Sequence, residues 1–482
     1  MYSVRRWSVR HARTLHWLYQ LFARLAPLLA VVARLLGKQR AEALLYPLEH
    51  SVKKFMFDCQ ACGQCVLSTT GMACPMNCAK EMRNGPCGGV RADGGCEVKP
   101  EMRCVWVEAT DGTKRIAPDH LAHPTPLLPA IDVRKRGRST WIAVIHGRSD
   151  PSFQPPVGEC TNTADLQPGT FEQACRSGRP IVTAEVAPPD STDPQALLLR
   201  AELFKGLVDA VNITDGAGGN CHMSSVAASA LLAAKGYTPI YQVVCRDRNR
   251  IAIQGDILGA AALGVKNILC LTGDDVSQGD HPQAKPVFDL DAVSLLHIVR
   301  GMCDKGTFAS GRKIEQPPNL FVGATVNPFV PPYQDRIGNL EKKVIAGARF
   351  IQTQFCFDVE RFTDFMREVR RRELHKQAQI VVGVGTLSSA KALKWMADHV
   401  PGVHIPSPLI EQIACAPNQM LAAKRLCLEI IDGLLSIDGV SGIHLMGHKN
   451  EHVLAEIIVE SGIRQRADDV DLGLPSKLNA AE

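Results

Sequence analysis

From residue 179 onward, short runs rich in Val, Ile, Ala, Thr and Phe alternate with longer stretches in which apolar residues recur every three or four positions. The short runs predict strands at 181–186 (IVTAEV), 210–215 (AVNITD), 239–245 (PIYQVVC), 267–273 (NILCLTG), 320–326 (LFVGATV), 350–357 (FIQTQFCF), 380–385 (IVVGVG) and 442–447 (GIHLMG). Between them, SSVAASALLAAKG, NRIAIQGDILGAAALG, NLEKKVIAGA and VERFTDFMREVRRREL carry a helical period. Strand and helix in strict alternation predict a parallel sheet, and eight repeats predict its closure into an α/β (β/α)8 TIM barrel over 179–470. An open doubly wound sheet is the alternative. It calls for a G-x-G-x-x-G turn after the first strand, where this chain has Ala187-Pro188-Pro189.

The first 54 residues repeat apolar positions at helical spacing and predict a basic amphipathic helical extension. Its uncharged runs, broken by Arg24 and Arg34, fall well short of the roughly 20 apolar residues of a membrane span. Arg5-Arg6 is followed by neither the clean apolar core nor the small-residue cleavage site of an export signal. The expected compartment is therefore the cytoplasm, where thiols stay reduced. A proline-punctuated linker is expected at 119–178 and a tail at 471–482.

Charge sharpens this division. The chain's net charge is +5 over 482 residues, yet residues 1–54 hold ten Lys or Arg against Glu42 and Glu49. The remainder is slightly acidic, which argues against a body that tracks nucleic acid. An apolar share of 45% is enough for a full core.

Eight of the 17 cysteines fall between residues 59 and 104, at Cys59, Cys62, Cys65, Cys74, Cys78, Cys87, Cys96 and Cys104. This defines a cysteine-rich module over 55–118. The C-x2-C-x2-C start resembles a bacterial ferredoxin loop, and Cys74-Pro75 resembles its distal ligand, although the gap before Cys74 is longer than that pattern has. Eight thiolates suffice for two four-iron clusters. Iron–sulfur is favoured over zinc, whose structural sites use paired C-x2-C knuckles, and inert thiols are the third reading.

Barrel chemistry sits at the C-terminal ends of strands. Those ends carry Glu185, Thr214-Asp215, Gln242, Gly273-Asp274-Asp275, Thr325, Gln354 and His444. Gln354 and His444 could equally be hydrogen-bonded core residues, and Thr214 a helix cap. Glu185 and Asp274 are the candidate acid–base pair, because a carboxylate ending an apolar barrel strand has few structural uses.

These residues carry a resemblance. T-A-E-V-A-P-P at the first strand, L-T-G-D at the fourth and A-G-A-R-F-I-Q-T-Q-F-C-F-D at the sixth resemble the methylenetetrahydrofolate reductase family over about 179–467, as does GDHPQAKPVFDLDAVSLL. The cysteine-rich module is similar to the accessory protein of such reductases. The resemblance implies a flavin, FAD or else FMN, reduced by NAD(P)H, and interconversion of 5,10-methylenetetrahydrofolate and 5-methyltetrahydrofolate in one-carbon metabolism. It implies Glu185 as the acid that protonates a folate nitrogen, Asp274 beside the flavin and pterin, and Gln354 holding the pterin. Thr214, Gln242, Gly273, Phe288, Thr325, Asn339 and Lys343 would take cofactor positions, with Lys343 near phosphate. The family's Thr-Tyr pair reads Thr214-Asp215 here, its strand-three histidine reads Gln242, and a strand-five tyrosine reads Thr325. Electrons could then arrive through iron–sulfur centres, with a redox partner protein and further copies of the chain as expected partners. The alternatives are a flavin-free pterin methyltransferase barrel and a non-catalytic electron-transfer or docking subunit.

Overall fold

A computed structural model describes residues 2–119, 126–147, 167–447 and 450–464. The expected tail at 471–482, and 120–125 and 148–166 of the expected linker, lie outside the described residues.

Eight parallel strands close into a barrel in sequence order: β1 (Ile181–Val186), β2 (Ala210–Ile213), β3 (Pro239–Val244), β4 (Asn267–Leu271), β5 (Phe321–Val326), β6 (Phe350–Phe355), β7 (Gln379–Val384) and β8 (Gly442–Leu445). The last strand pairs with the first through Thr183↔His444. The barrel is thus the (β/α)8 fold expected from the alternation. Outward positions such as Val182, Ala184 and Val186 are fully buried under the surrounding helices, which is why the strands read as nearly unbroken apolar runs.

The inside of the barrel is layered. At the bottom, Phe171 of the short helix Thr170–Arg176 plugs the end against Ile181, Ile240, Leu269, Phe350 and Val381. Its ring meets Phe350 edge-on at 5.2 Å. Gly323 is required here, because a Cβ would come 2.3 Å from the Phe350 ring. Phe171→Ala is expected to cost about 3–5 kcal/mol, read by urea denaturation. A loss under about 1 kcal/mol would mean that the helix does not seal the barrel.

Above the plug lies a polar layer. Thr183 and His444 share a hydrogen bond of 2.9 Å, Asn212 donates to Gln352 at 2.6 Å, and Gln352 donates to Thr183 at 3.2 Å. Burial pushes the His444 pKa down to about 3, so the ring is neutral. His444 is therefore a satisfied core residue, one of the two alternatives its position allowed.

Three helices precede the barrel: α1 (Tyr2–Arg10), α2 (Ala12–Leu36) and α3 (Lys38–Phe57). The inner face of α2 is small: Ala26, Ala30 and Ala33 pack with Ala41 and with Ile142 and Ile145 of α5 (Thr140–Ile145). The run TWIAVIHG within the expected linker is thus largely helical, started by the Ser139 hydroxyl, which accepts from Ile142 N. The Glu49 carboxylate of α3 fastens α5 by accepting from Lys53 Nζ at 2.6 Å and from the Ser139 hydroxyl at 2.5 Å.

Between α3 and α4 (Val105–Ile116) the chain carries all eight clustered cysteines with almost no regular structure. Its assigned elements are one 3-10 turn at Pro75–Asn77 and an isolated bridge between Gly95 and Arg103. This segment lies across one side of the barrel's C-terminal end. Arg83 N and Asn84 N donate to Asp291 at 3.0 and 2.7 Å, Arg336 donates to Cys87 O at 2.7 Å, and Asn327 donates to Gly88 O at 2.8 Å.

Candidate active site and cysteine module

Alternation places Glu185, Gln242 and Thr325 on the inward faces of β1, β3 and β5, Thr214 directly follows β2, and Gln354 lies in the irregular end of β6, so all five lie toward the barrel's C-terminal end. Glu185 is open to the mouth yet lies deep in protein, and burial pushes its pKa up to about 7, opposed by a hydrogen bond with Gln242. The Thr214 hydroxyl is buried and has no hydrogen-bond partner among the described residues. The Gln354 carboxamide oxygen accepts from Phe355 N at 3.0 Å.

Gly273 follows β4 with φ +94°, in a turn where a Cβ would crowd Val244 and Arg246. Asp274 is exposed beside it and faces the charges of Lys80 and Arg246. Asp215, the carboxylate that replaces the expected aromatic, turns away from the mouth. It pairs with Arg248 and accepts from Val244 N at 2.9 Å and from the Ser225 hydroxyl at 2.9 Å. The added negative charge is thus spent on the scaffold.

Three positions assigned to the cofactor by resemblance lie under the cysteine module instead. Asn339 is buried and donates to Asn84 O at 3.0 Å. The Lys343 ammonium is buried against Thr325 O, and desolvation pushes its pKa down to about 8. Phe288 is buried, with the Lys80 ammonium 6.0 Å from its ring centre. Toward the mouth, the buried Thr214 hydroxyl, with no hydrogen-bond partner among the described residues, is a group that could bond a cofactor ring. Asn339 and Lys343, as placed, do not fit a phosphate.

The eight cysteines sort into two sets of four. Cys59, Cys62, Cys65 and Cys74 line one cavity of about 30 Å³, and Cys78, Cys87, Cys96 and Cys104 line another of about 10 Å³. Burial pushes the Cys74 thiol up, and the neighbouring Cys62, Cys59 and Cys65 add to this. Cys78 is pushed up to about 12 by burial, then by Cys104 and Cys96. None of these eight is in a disulfide. Among the described residues, no group of three or more His, Cys, Asp or Glu side chains closes into a site for a metal ion. The structure thus brings the sulfurs together in fours without drawing them into metal-ion geometry.

Lys80 and Glu97, which the sequence reading passed over, join the second set to the barrel. Cys87 Sγ lies 3.3 Å from Glu97 Oε1, Glu97 pairs with Lys80 at 2.6 Å, and Lys80 donates to Gly273 O at 2.7 Å. The available signal was their placement, since Lys80 lies two residues after Cys78 and Glu97 directly follows Cys96. Lys80→Met leaves the Glu97 carboxylate buried and unpaired, so a loss of about 3–5 kcal/mol is expected in urea denaturation. An unchanged midpoint would show that the pair does not hold the module to the barrel.

Comparison with known proteins agrees with this architecture. A family described as methylenetetrahydrofolate reductase matches residues 170–462, and one described as methylene-tetrahydrofolate reductase C terminal matches residues 39–129, which here precede the barrel. A Caenorhabditis elegans protein named "Probable methylenetetrahydrofolate reductase (NADPH)" is 25% identical over 50% of this chain and 34% of its own length. Methylenetetrahydrofolate reductase 2 of Schizosaccharomyces pombe is 27% identical over 46% of this chain and 35% of its own. The chain thus spans about a third of the length of these relatives. A solved Clostridium thermocellum protein, described as uncharacterized and binding two copies of 5-methyl-5,6,7,8-tetrahydrofolic acid, has TM-score 0.43 and 14% identity, covering 63% of this chain and 100% of its own. On the family match across more than half of its 482 residues, this chain belongs to the methylenetetrahydrofolate reductase family.

Proposed function

We propose that the barrel interconverts 5,10-methylenetetrahydrofolate and 5-methyltetrahydrofolate, with Glu185 as the proton donor. The supporting observation is a carboxyl group at the barrel mouth whose pKa is raised to about 7 beside Gln242. A carboxylic acid protonated near neutrality can donate to a folate ring nitrogen, opening the five-membered ring to an iminium. In this proposal Gln242 orients the carboxyl, Gln354 holds the pterin, and Asp274, exposed beside Gly273, faces the pterin and the reducing centre. A flavin, when bound, supplies the hydride; Thr214 would hold its ring side.

The two cysteine sets are proposed to hold one four-iron cluster each, supplying one-electron transfer. The Cys87–Glu97–Lys80–Gly273 contacts support a role at the mouth. The burial of Asn339 and Lys343 favours a second reading, in which the barrel binds pterin without flavin. The absorbance spectrum of anaerobically purified protein separates the two, because a flavin band at one equivalent per chain is expected only for the first.

The pH profile follows from Glu185. As an acid it acts when protonated, so forward turnover is expected to fall as pH rises through about 7. Its folded pKa exceeds the unfolded 4.5, so the folded chain holds the extra proton in that window. Stability from this group is therefore highest below about 4.5 and declines as pH rises toward 7. A turnover profile flat from pH 6 to 8 would contradict the assignment.

A further inference from the structure

The largest cavity among those described lies outside the barrel, between α2, α3, α5 and the first cysteine set. It holds about 670 Å³, room for a drug-sized molecule, and its walls include Leu15, Phe22, Phe57, Leu67, Trp141 and Ile142. It shares a wall with the cavity lined by Cys59, Cys62, Cys65 and Cys74, because Lys53, Phe57, Cys65 and Thr140 line both. Lys53 is the polar handle at that wall, hydrogen-bonded to Glu49 and to Thr140 at 2.6 Å each.

The outer surface of the same helices is apolar in a way a solvated helix is not. On α2, Leu21, Leu25, Leu28 and Leu35 form one stripe at 41%, 45%, 69% and 83% exposure. On α3, Leu44, Leu48, Val52 and Phe55 form another at 66%, 57%, 42% and 63%. The inner face of α2 carries alanines instead, so the larger side chains point outward. Leu18 and Val52, both exposed, also line the cavity, so its entrance opens on this apolar surface. Arg13, Arg24, Arg34 and Arg40 are exposed on the same helices, and Arg10 at the end of α1. No described helix is long and apolar enough to cross a membrane.

We infer that the helical extension lies on an anionic bilayer surface and that the cavity beneath it takes a lipid-phase quinone from that bilayer. Exposed leucines flanked by arginines match a lipid interface, where apolar side chains enter the acyl boundary and cations meet headgroups. An acidic soluble carrier would satisfy the arginines and leave the leucines in water. The cavity's apolar walls suit a quinone ring and its prenyl chain, while Lys135 and Arg138, which also line it, are exposed and available to lipid headgroups. Lys53, whose ammonium has three protons and gives one to Glu49 and one to Thr140, stands where a quinone carbonyl would seek a donor.

The redox consequence rests on the proposed folate reaction and on an iron–sulfur centre at the first cysteine set. 5-Methyltetrahydrofolate loses one methyl C–H and one N–H bond and gains a C–N bond, releasing two electrons and two protons. The quinone takes up both pairs, its two carbonyls becoming hydroxyls. Binding itself stands on the cavity and the helix surface.

Two readouts on the full, anaerobically purified chain test it. Decylubiquinone is expected to quench tryptophan fluorescence saturably, through Trp141 in the cavity wall, and Ala143→Phe, which narrows the cavity at its α5 wall, is expected to weaken the saturable part at least tenfold. The chain is expected to float with phosphatidylglycerol–phosphatidylcholine vesicles and not with phosphatidylcholine alone, and Leu28→Glu/Leu35→Glu is expected to end flotation while leaving decylubiquinone quenching intact. That retention shows the double variant to be folded. Quenching that never saturates, or is unchanged in Ala143→Phe, overturns the cavity assignment. Flotation indifferent to anionic lipid, or an unfloated dimer that dissociates in the leucine variant, overturns the bilayer assignment. A protein lacking iron that still floats and binds decylubiquinone would refute the cluster reading while upholding this site. An iron-replete protein that does neither would refute this site alone.

Discussion

Glu185→Gln is expected to slow folate turnover about 10²- to 10⁴-fold, the range for loss of a positioned general acid. Glutamine preserves the shape and the capacity to bond Gln242, but it cannot release a proton. Burial is what equips this carboxyl, since its pKa near 7 keeps much of it protonated at neutral pH. The barrel should tolerate the change, because a neutral amide replaces a group whose charged form is already disfavoured there. Folate binding, read by equilibrium titration, is expected to stay within a few-fold of the parent. A large loss of binding with unchanged turnover of bound substrate would recast Glu185 as a binding residue.

Removing one cysteine set is expected to have the second large effect. The intact protein is expected to carry about eight irons with matching sulfide, and Cys62→Ser/Cys74→Ser to keep about half, held by Cys78, Cys87, Cys96 and Cys104. The segment from Asp58 to Cys104 has too little helix or strand to hold itself. Binding free energy at such sites is folding free energy. Stripping the metal should therefore open this segment to limited proteolysis while β1–β8 stay resistant. Stoichiometric zinc without iron would replace the cluster reading, and a metal-free segment equally resistant to protease would remove it.

The barrel was legible because its strands are buried on both faces and so read as apolar runs separated by helical periods. The apolar runs extend two residues past the ends of β2, β4, β6 and β8, at β2 and β4 for a physical reason. Thr214-Asp215 and Thr272-Gly273 leave the ladder to build the mouth, Asp215 toward Arg248 and Gly273 into a left-handed turn. The docking of the cysteine module was not legible. It depends on Asp291 meeting Arg83 and Asn84, and Arg336 meeting Cys87, pairs more than 200 residues apart that no local pattern encodes. The same docking covers Asn339 and Lys343, which a family pattern places at the cofactor. The grouping of the cysteines into 59–74 and 78–104 follows chain order, yet their spacing alone could not assign Cys74 and Cys78 to different sets.

The most direct test supplies 5,10-methylenetetrahydrofolate and a one-electron viologen donor to anaerobically purified, metal-replete protein and quantifies 5-methyltetrahydrofolate by chromatography. The account expects product to form catalytically and to fall about 10²-fold or more with Glu185→Gln. No product from metal- and flavin-replete protein, or equal rates from the parent and Glu185→Gln, would contradict it.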